Sequence, residues 1–403
     1  MKTALLAVKT TISFVALALL FAFPSAAATL HNYPCGSGIG YEGGLTKDNG
    51  GNYYGVSGLG GTWNVGIAFK LSPDVHGGWN CNVIHTFLPD IGPANPEVTL
   101  VMDGQGNLYG TSTAGGEANA GTIFELSNQD GSWQVINEYD FTGRADGSYP
   151  LGALAMDAAG NVYGTASQGG SGGGTVFELT PGTWTFRTIH TFGPIPDGSI
   201  PIGGVVIDRA GNLYGTTWEG GTGGTGVVFK LHAAGQGWVE TILHAFTDSD
   251  EGNQPQSAPS FDSQGNLYGS VVSGAIYKIT PPPNAPRSVE QPWPITWIYQ
   301  FPGASNLADG YFPIGAPIVD SSGNIYGATS EGGDTNACPP NGCGVIYKLV
   351  PSHDNGPTTW TETVLWTFEG YPNGQYPDSI LTFDSSGNLL STTSDDGPFS
   401  LTP

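Results

Sequence analysis

The chain has 403 residues, of which 11 % are charged, and its formal net charge at pH 7 is −23. So acidic a chain lacks the basic surface that binds nucleic-acid phosphates, and it disfavours anionic membranes and polyanionic substrates. With 38 % hydrophobic residues, 64 glycines and 30 prolines, the composition excludes wholesale disorder and favours short strands and turns around a sizeable core.

The first predicted element in chain order is a targeting segment. Two lysines, Lys2 and Lys9, precede an apolar run over residues 11–23 and a cluster of small residues, Ala26–Ala28. This order predicts a secretory signal peptide over residues 1–28. No second apolar stretch of spanning length follows. We therefore expect a mature chain over residues 29–403 that has no membrane span, is secreted or periplasmic, and is a monomer.

A repeat with a Gly-Asn-x-Tyr-Gly core fills the remainder of the chain. Its copies begin at Gly51, Gly106, Gly160, Gly211, Gly265, Gly323 and, in degenerate form, Gly387. Successive copies are 51 to 64 residues apart, and an Asp stands three residues before each. In each repeat, strand A is predicted to end at this Asp, strand B to carry the core and strand C to carry a Phe/Tyr-x-Leu/Ile pattern. In the first six repeats, strand D is predicted to run from a Trp to an aromatic residue.

Four short antiparallel strands repeated at this interval are typical of a β-propeller blade. The last repeat has a strand C at Phe399–Leu401 but no strand D, whereas residues 29–33 resemble strand D of other repeats, for example residues 241–246. The sequence therefore predicts an all-β fold, a seven-bladed β-propeller that forms one domain over residues 29–403. We expect its N-terminal strand to complete the C-terminal blade.

The repeated Gly-Asn-x-Tyr-Gly-Thr-Thr, Gly-Gly and Gly-x-Val-Phe-x-Leu segments resemble the GloVer tandem repeat, found in bacterial exported proteins. The resemblance extends over essentially residues 29–403. It implies bacterial export and a repeat array with no assigned chemistry.

Three columns of residues recur from repeat to repeat, and each has a structural interpretation. The histidines share one position in strand D, namely His31, His85, His190 and His244. Equivalent positions on the outer strands of a ring lie tens of ångströms apart, so these histidines cannot share an ion. The repeat aspartates lack the dense oxygen ligands of an EF-hand loop and are expected to cap turns. The repeat tyrosines are expected to pack one blade against the next. For the protein as a whole, we predict no metal and no cofactor.

The four cysteines are expected to form disulfides, because export brings a chain into an oxidising compartment. Cys338 and Cys343 flank a short turn through Asn341 and Gly342, so this pair is favoured. Cys35 with Cys81 is then the remaining option.

The candidate binding residues lie in the loops that connect strand D to A and strand B to C. These loops differ between repeats, whereas the A–B turns are nearly identical, so only the face of the D–A and B–C loops can be asymmetric. The candidates are Trp63, Asp146, Asp197, Trp218, Glu219, Asp309, Tyr311 and Phe312. Acids interleaved with aromatic rings suit a neutral sugar or a cationic ligand. The alternative interpretation is that the acids only cap their own loops.

These observations predict an exported propeller that acts as a binding protein or scaffold for a glycan or a protein partner outside the cytoplasm. One alternative is a carbohydrate-active hydrolase with paired carboxylates in the mouth of the central channel, since glycosidases need two carboxyl groups at a defined separation. The other is a purely structural surface protein. The sequence assigns no catalytic residue.

Overall fold

The computed structural model describes residues 28–35, 43–89, 92–247, 252–282, 292–303, 306–352, 358–371 and 374–403. Except for Ala28, the predicted signal peptide lies outside these residues. Within the described ranges, no helix has the length and apolar character needed to cross a membrane.

Seven four-stranded antiparallel sheets make up the fold, each in the order A-B-C-D, and we number them as blades 1 to 7. The A strands are Thr46–Lys47, Val101–Met102, Ala155–Met156, Val205–Ile207, Ser260–Phe261, Tyr311–Val319 and Thr382–Phe383. The B strands are Tyr53–Ser57, Leu108–Ser112, Val162–Ala166, Leu213–Thr217, Leu267–Val271, Ile325–Glu331 and Leu389–Thr393. The C strands are Ile67–Pro73, Thr122–Gln129, Thr175–Thr180, Val227–Ala234, Ala275–Ile279, Val345–Ser352 and Gly397–Thr402. The D strands are Trp79–Thr86, Ser132–Asp140, Thr185–Thr191, Gly237–Ala245, Ile295–Gln300, Thr359–Thr367 and, for blade 7, Thr29–Asn32. The predicted seven-bladed β-propeller is thus confirmed.

The A–B turns show why each repeat carries Asp-x-x-Gly-Asn. In blade 3, Oδ1 of Asp157 accepts hydrogen bonds from the backbone N–H groups of Ala159 and Asn161, at 2.9 and 2.8 Å. Its Oδ2 accepts from Asn161 Nδ2 at 2.8 Å and from the Tyr163 hydroxyl at 3.2 Å. Gly160 adopts a φ of +87°, which favours glycine. The repeat aspartate therefore caps its turn, as expected.

Aromatic contacts hold neighbouring blades together. The strand B tyrosine of one blade packs on the Trp near the start of strand D in the next, with ring centroids 5.7 Å apart for Tyr54 and Trp133. The aromatic residue that directly follows strand D packs on the strand C aromatic residue of the next blade, with ring centroids 5.2 Å apart for Phe87 and Phe124. Both contacts recur around the ring, for example at Tyr163–Trp238, Tyr214–Trp293, Phe192–Phe229, Phe301–Tyr347 and Phe368–Phe399. The hydrophobic core therefore lies between the blades.

The N-terminal strand closes the ring. It pairs with strand C of blade 7 in antiparallel register, with Leu30 opposite Leu401. Just beyond the strand, Cys35 is bonded to Cys81 in strand D of blade 1, with their Cα atoms 5.3 Å apart. The disulfide therefore joins the closing strand to the first blade. The second disulfide, Cys338–Cys343, lies within the B–C loop of blade 6.

Two D strands begin later than their tryptophans. In blade 3, Trp184 follows the 3-10 turn Pro181–Thr183 with a φ of +50°, and the strand starts at Thr185. Its indole Nε1 donates a hydrogen bond of 2.7 Å to the carbonyl of Glu138 in blade 2. In blade 5, Trp293 also precedes the strand, which starts at Ile295. In blade 3, a contact to the preceding blade thus accompanies the left-handed turn residue.

Candidate ligand-binding site at the propeller axis

A cavity of about 550 Å³ lies where the innermost strands converge, and all seven blades contribute to its wall. Most of its lining residues stand at or just before the start of strand A, and Ser330 and Glu331 stand at the end of strand B in blade 6. Both positions lie at the D–A and B–C loop side of the blades. The cavity therefore opens on the face where the loops differ between repeats.

An unusual backbone conformation recurs in blades 2–7, two residues before a cavity-lining residue at or near the start of strand A. A non-glycine residue directly before a proline has a φ between +50° and +59°. These residues are Asn95, Tyr149, Ile200, Gln254, Phe312 and Tyr376. A left-handed conformation costs an L-residue about 1–2 kcal/mol, so six occurrences at one repeat position indicate a compensating interaction.

Backbone hydrogen bonds across the blade interface supply that compensation. The N–H of Tyr149 donates to the carbonyl of Ala120 in blade 2 at 2.9 Å, and its carbonyl accepts from the N–H of Ser167 in blade 3 at 3.1 Å. Asn95, Ile200, Gln254 and Tyr376 make the same two kinds of bond. The loop is thereby tied to two blades, and the residue after the proline is placed in the cavity wall.

The residue after the proline gives the cavity two different sides. Blades 2 and 7 contribute Glu97 and Asp378, and Glu331 of blade 6 adds a third carboxylate. Blades 3, 4 and 6 contribute the aliphatic residues Leu151, Ile202 and Ile314, and blade 5 contributes Gln256. Leu151 is 40 % exposed. An acidic side thus faces an aliphatic side across one opening.

Two of the carboxylates have defined surroundings. Asp378 accepts a hydrogen bond of 3.0 Å from the hydroxyl of Ser394. Glu97 lies over Gly58 of blade 1, where an added Cβ would come within 2.7 Å of the Glu97 Cγ. Glycine at this position therefore leaves room for the glutamate between blades 1 and 2.

The acids predicted from the sequence bind groups of their own loops. Asp146 accepts hydrogen bonds from Thr142 and from the Tyr139 hydroxyl, the latter at 3.1 Å. Asp197 accepts from the N–H groups of residues 193 and 198, at 2.7 and 2.8 Å. Asp309 accepts from Asn306 Nδ2 at 2.8 Å. All three support loop geometry, which was the alternative interpretation.

The remaining candidates lie on the same face but outside the described cavity wall. Trp218 is half-buried and its N–H donates to the carbonyl of Ile200 at 3.0 Å. Glu219 is exposed and pairs with Ser199 in a two-stranded ribbon. Trp63 is 58 % exposed. Tyr311 and Phe312 are neighbours, with ring centroids 4.2 Å apart. None of the eight candidates is among the described residues that line the cavity, and their role in binding stays a prediction.

The residues predicted from the sequence do not include Glu97, Leu151, Ile202 and Asp378 of the cavity wall. A signal for them exists in the repeat: the loop proline recurs while the residue after it changes from acidic to aliphatic. The residue directly after the loop proline, rather than the acid of the acid-Gly-x-x-Pro pattern, therefore marks the cavity wall.

Three carboxyl groups with strongly raised pKa values lie on D strands, away from the axis, whereas Asp396, whose pKa is also raised by burial, lies in the B–C loop of blade 7. Burial raises the pKa of Glu138 to about 8 and the pKa of Glu240 and of Glu362 to about 7. For Glu138, the neighbouring Asp140 adds to the effect by hydrogen bonding and by its charge. A carboxyl group suited to act as a general acid near neutral pH is thus found on the rim.

We expect Glu138→Gln to raise the melting temperature at pH 8 and to leave it nearly unchanged at pH 4.5. The folded state holds the Glu138 proton more tightly than the unfolded chain, so stability from this group is present at low pH. It is lost as the pH rises from about 4.5 through about 8. Thermal unfolding at the two pH values is the measurement, and the exposed Glu117→Gln in the same blade is the control. An equal shift at both pH values would contradict the assignment.

Comparison with known proteins agrees with this architecture. Seven four-stranded blades around an axial cavity define the class, a β-propeller. The chain belongs to the Gloeobacter/Verrucomicrobia repeat family, whose model matches residues 40–281. This confirms the resemblance to the GloVer repeat. None of the curated proteins matches the sequence.

Two solved structures are similar to parts of the chain. A candidate 6-phosphogluconolactonase from Bacteroides uniformis is 14 % identical, with a TM-score of 0.54, over 88 % of this chain and 90 % of that chain. A candidate oxidoreductase, named as a glucose dehydrogenase, from Thermus thermophilus is 17 % identical, with a TM-score of 0.45, over 75 % of this chain and 95 % of that chain. At 14 % identity, the likeness to the first of these structures concerns the fold alone.

Proposed function

We propose that this protein is an exported β-propeller binding protein that recognises a glycan or a protein partner outside the cytoplasm at the axial cavity. One observation carries the proposal: a single opening that all blades share has carboxylates on one side and aliphatic side chains on the other. An asymmetric, amphiphilic wall recognises one orientation of a ligand, whereas seven equivalent turns on the opposite face offer only repeated sites.

The chemistry of the wall indicates what the cavity accepts. Carboxylates accept hydrogen bonds from sugar hydroxyls or from an ammonium or guanidinium group, and they repel anions. The aliphatic side adds apolar contact area. A volume of about 550 Å³ lies within the range of small-ligand pockets. A neutral sugar or a basic segment of a protein partner therefore fits, and an acidic ligand does not.

Export is supported by two independent features. The N-terminal residues have the pattern of a signal peptide. Two disulfides are present, and such bonds persist in oxidising compartments outside the cytoplasm.

Hydrolysis is the weaker alternative. A glycosidase places one carboxyl group with a raised pKa beside the scissile bond, opposite a second carboxylate. The carboxyl groups whose pKa values are raised to about 7 or 8, Glu138, Glu240 and Glu362, lie on D strands. Asp396, whose pKa is also raised, lies in a B–C loop and is not among the described residues of the cavity wall. The axial carboxylates are therefore better suited to hold a ligand than to cleave it.

The test is a binding screen with neutral and acidic oligosaccharides and with lysine-containing and glutamate-containing peptides. We expect a neutral oligosaccharide or a basic peptide to bind, and the acidic probes not to bind. Glu97→Gln and Asp378→Asn should each weaken binding at least about tenfold, since a hydrogen bond to a charged group contributes about 1.5–3 kcal/mol. Glu117→Gln removes the same charge on the same face, outside the cavity wall, and should have no effect.

Two results would contradict the proposal. One is binding that survives unchanged in both cavity variants, and the other is selective capture of the acidic probes. Release of a shortened oligosaccharide by the wild type, lost in Glu97→Gln or Asp378→Asn, would instead favour the hydrolase.

A further inference from the structure

A second cluster of ligating side chains lies far from the axis, at the outer part of the interface between blades 3 and 4. His190 stands on strand D of blade 3, Asp197 in the following D–A loop, and Glu240 on strand D of blade 4. Within the part of the chain that the structure describes, this is the one place where ligand atoms of three such residues lie within 4.8 Å of one another.

The atoms that face one another are buried but do not form hydrogen bonds. His190 Nε2 lies 3.7 Å from Asp197 Oδ2 and 3.8 Å from Glu240 Oε1. Both distances exceed those of hydrogen bonds. His190 Nε2 and Glu240 Oε1 are inaccessible to solvent and have no hydrogen-bond partner. The two distances lie within the range of an ion pair when His190 is protonated. Leaving buried polar atoms without a hydrogen bond is costly, and an ion between the three side chains would satisfy them.

The spacing fits a metal ion. A point central to the three atoms lies roughly 2.4 Å from each, close to the bonds of about 2.0–2.2 Å that zinc forms with imidazole nitrogen and carboxylate oxygen. Small side-chain rotations close the remaining difference. The side chains are only 16 to 18 % exposed, which leaves a narrow access for solvent. Three protein ligands with one position open to water are a common zinc arrangement.

The ligands are held in place by the fold. The backbone N–H groups of Gly193 and Gly198 bind the carboxylate of Asp197. The His190 ring packs edge-on against Phe192, with centroids 4.7 Å apart. Glu240 is fixed in the ladder opposite Leu231. We propose that His190, Asp197 and Glu240 form a binding site for a divalent transition metal, with zinc as the ion that fits best.

The other blade interfaces provide a natural comparison. At the interface of blades 5 and 6, Tyr299, Asp309 and Glu362 occupy the corresponding positions, with tyrosine in place of histidine. At the interface of blades 2 and 3, Tyr139 occupies the histidine position and donates its phenolic hydrogen to Asp146 at 3.1 Å. A tyrosine therefore fits this position, and in blade 2 it hydrogen-bonds the loop acid itself. At the interface of blades 3 and 4, the imidazole of His190 takes this position and lies beside two carboxylates.

The proposed ion would tie the outer strands of two blades and the loop between them. Equivalent histidines do not meet around the ring, as their spacing predicted. His190 meets two acids that belong to different positions of the repeat.

The experiment uses the full mature chain without an affinity tag, stripped with a chelator and titrated with Co²⁺ and with Zn²⁺ at neutral pH. We expect one equivalent of Co²⁺ to produce visible absorption bands, Zn²⁺ to displace it, and Zn²⁺ to raise the melting temperature. His190→Tyr reproduces the residue found in blades 2 and 5, so it should fold and lose the site. Glu240→Gln keeps the shape and should also lose it.

We expect both variants to weaken metal binding by more than about 100-fold, beyond what loss of an outer-shell partner costs. Glu362→Gln, at the corresponding position of blade 6, should bind as the wild type does. The absence of saturable, one-equivalent binding in the wild type would overturn the proposal. The proposal would also be overturned if His190→Tyr and Glu240→Gln bound the metal as tightly as the wild type does, because other acids of this chain would then hold it.

Discussion

Deleting residues 29–34 is expected to destabilise the protein by more than the roughly 3–5 kcal/mol that one large core truncation costs. The deletion removes the strand opposite Gly397–Thr402, together with the packing of Leu30 in the core of blade 7. It also removes the hydrogen bond of 2.8 Å from the N–H of Tyr33 to the carbonyl of Pro398. Thermal and urea unfolding measure the loss.

The same deletion should also change the association state. An unpaired strand C edge is a template for pairing with another chain, so light scattering should reveal aggregation. His31→Ala serves as the control, because His31 is exposed and its replacement leaves the strand in place. A deletion variant that keeps the association state and the melting temperature of the wild type would contradict the split seventh blade.

Replacing Cys35 and Cys81 together with serine is expected to lower the free energy of unfolding by about 4 kcal/mol. The bond closes a loop with a sequence separation of 46, and the chain-entropy model assigns about 4 kcal/mol to a loop of that length. It also anchors the closing strand to blade 1, so its loss should increase local opening at the N-terminus. Urea unfolding of the oxidised wild type and of the double variant measures the difference.

The second disulfide provides the matched comparison. Cys338 and Cys343 are only 5 residues apart, and the same model assigns about 2 kcal/mol to so short a loop. The double serine variant of this pair should therefore lose about half as much stability as the Cys35/Cys81 variant. The reverse order, or a single cross-link between the two pairs in non-reducing peptide mapping, would contradict this assignment.

Most of the fold could be predicted from the repeat, because the residues within each repeat determine its turns and strands. Asp157 and Gly160 determine an A–B turn without help from other blades, and the alternation of strand C predicts which side chains enter the core. The ring closure could also be predicted from the sequence, since residues 29–33 resemble a strand D. The late start of strand D in blade 3 could not be predicted, because it accompanies a contact between Trp184 and blade 2.

For the candidate site, the sequence predicted only the face of the propeller on which it lies, that of the D–A and B–C loops. The cavity wall depends on how seven strands converge, and the left-handed conformation of residues such as Tyr149 is coupled to bonds with two blades at once. Acids such as Asp146 are conspicuous in the sequence, yet their carboxylates already accept hydrogen bonds from neighbouring backbone and side-chain groups. Leu151 and Asp378 are not distinguished by residue type in the sequence, and only the assembled ring places them in one cavity wall with residues of the other blades.

The most direct test of the axial site is amide hydrogen exchange of the protein with and without the probe that binds most tightly in the screen. We predict slower exchange in segments that contain the cavity wall, namely residues 97–99, 151–153, 202–203, 256–257, 314–315 and 376–380. The A–B turns should exchange at the same rate in both states. Protection of the turns around Asp157 and Asp208, with the cavity wall unchanged, would contradict the axial binding site.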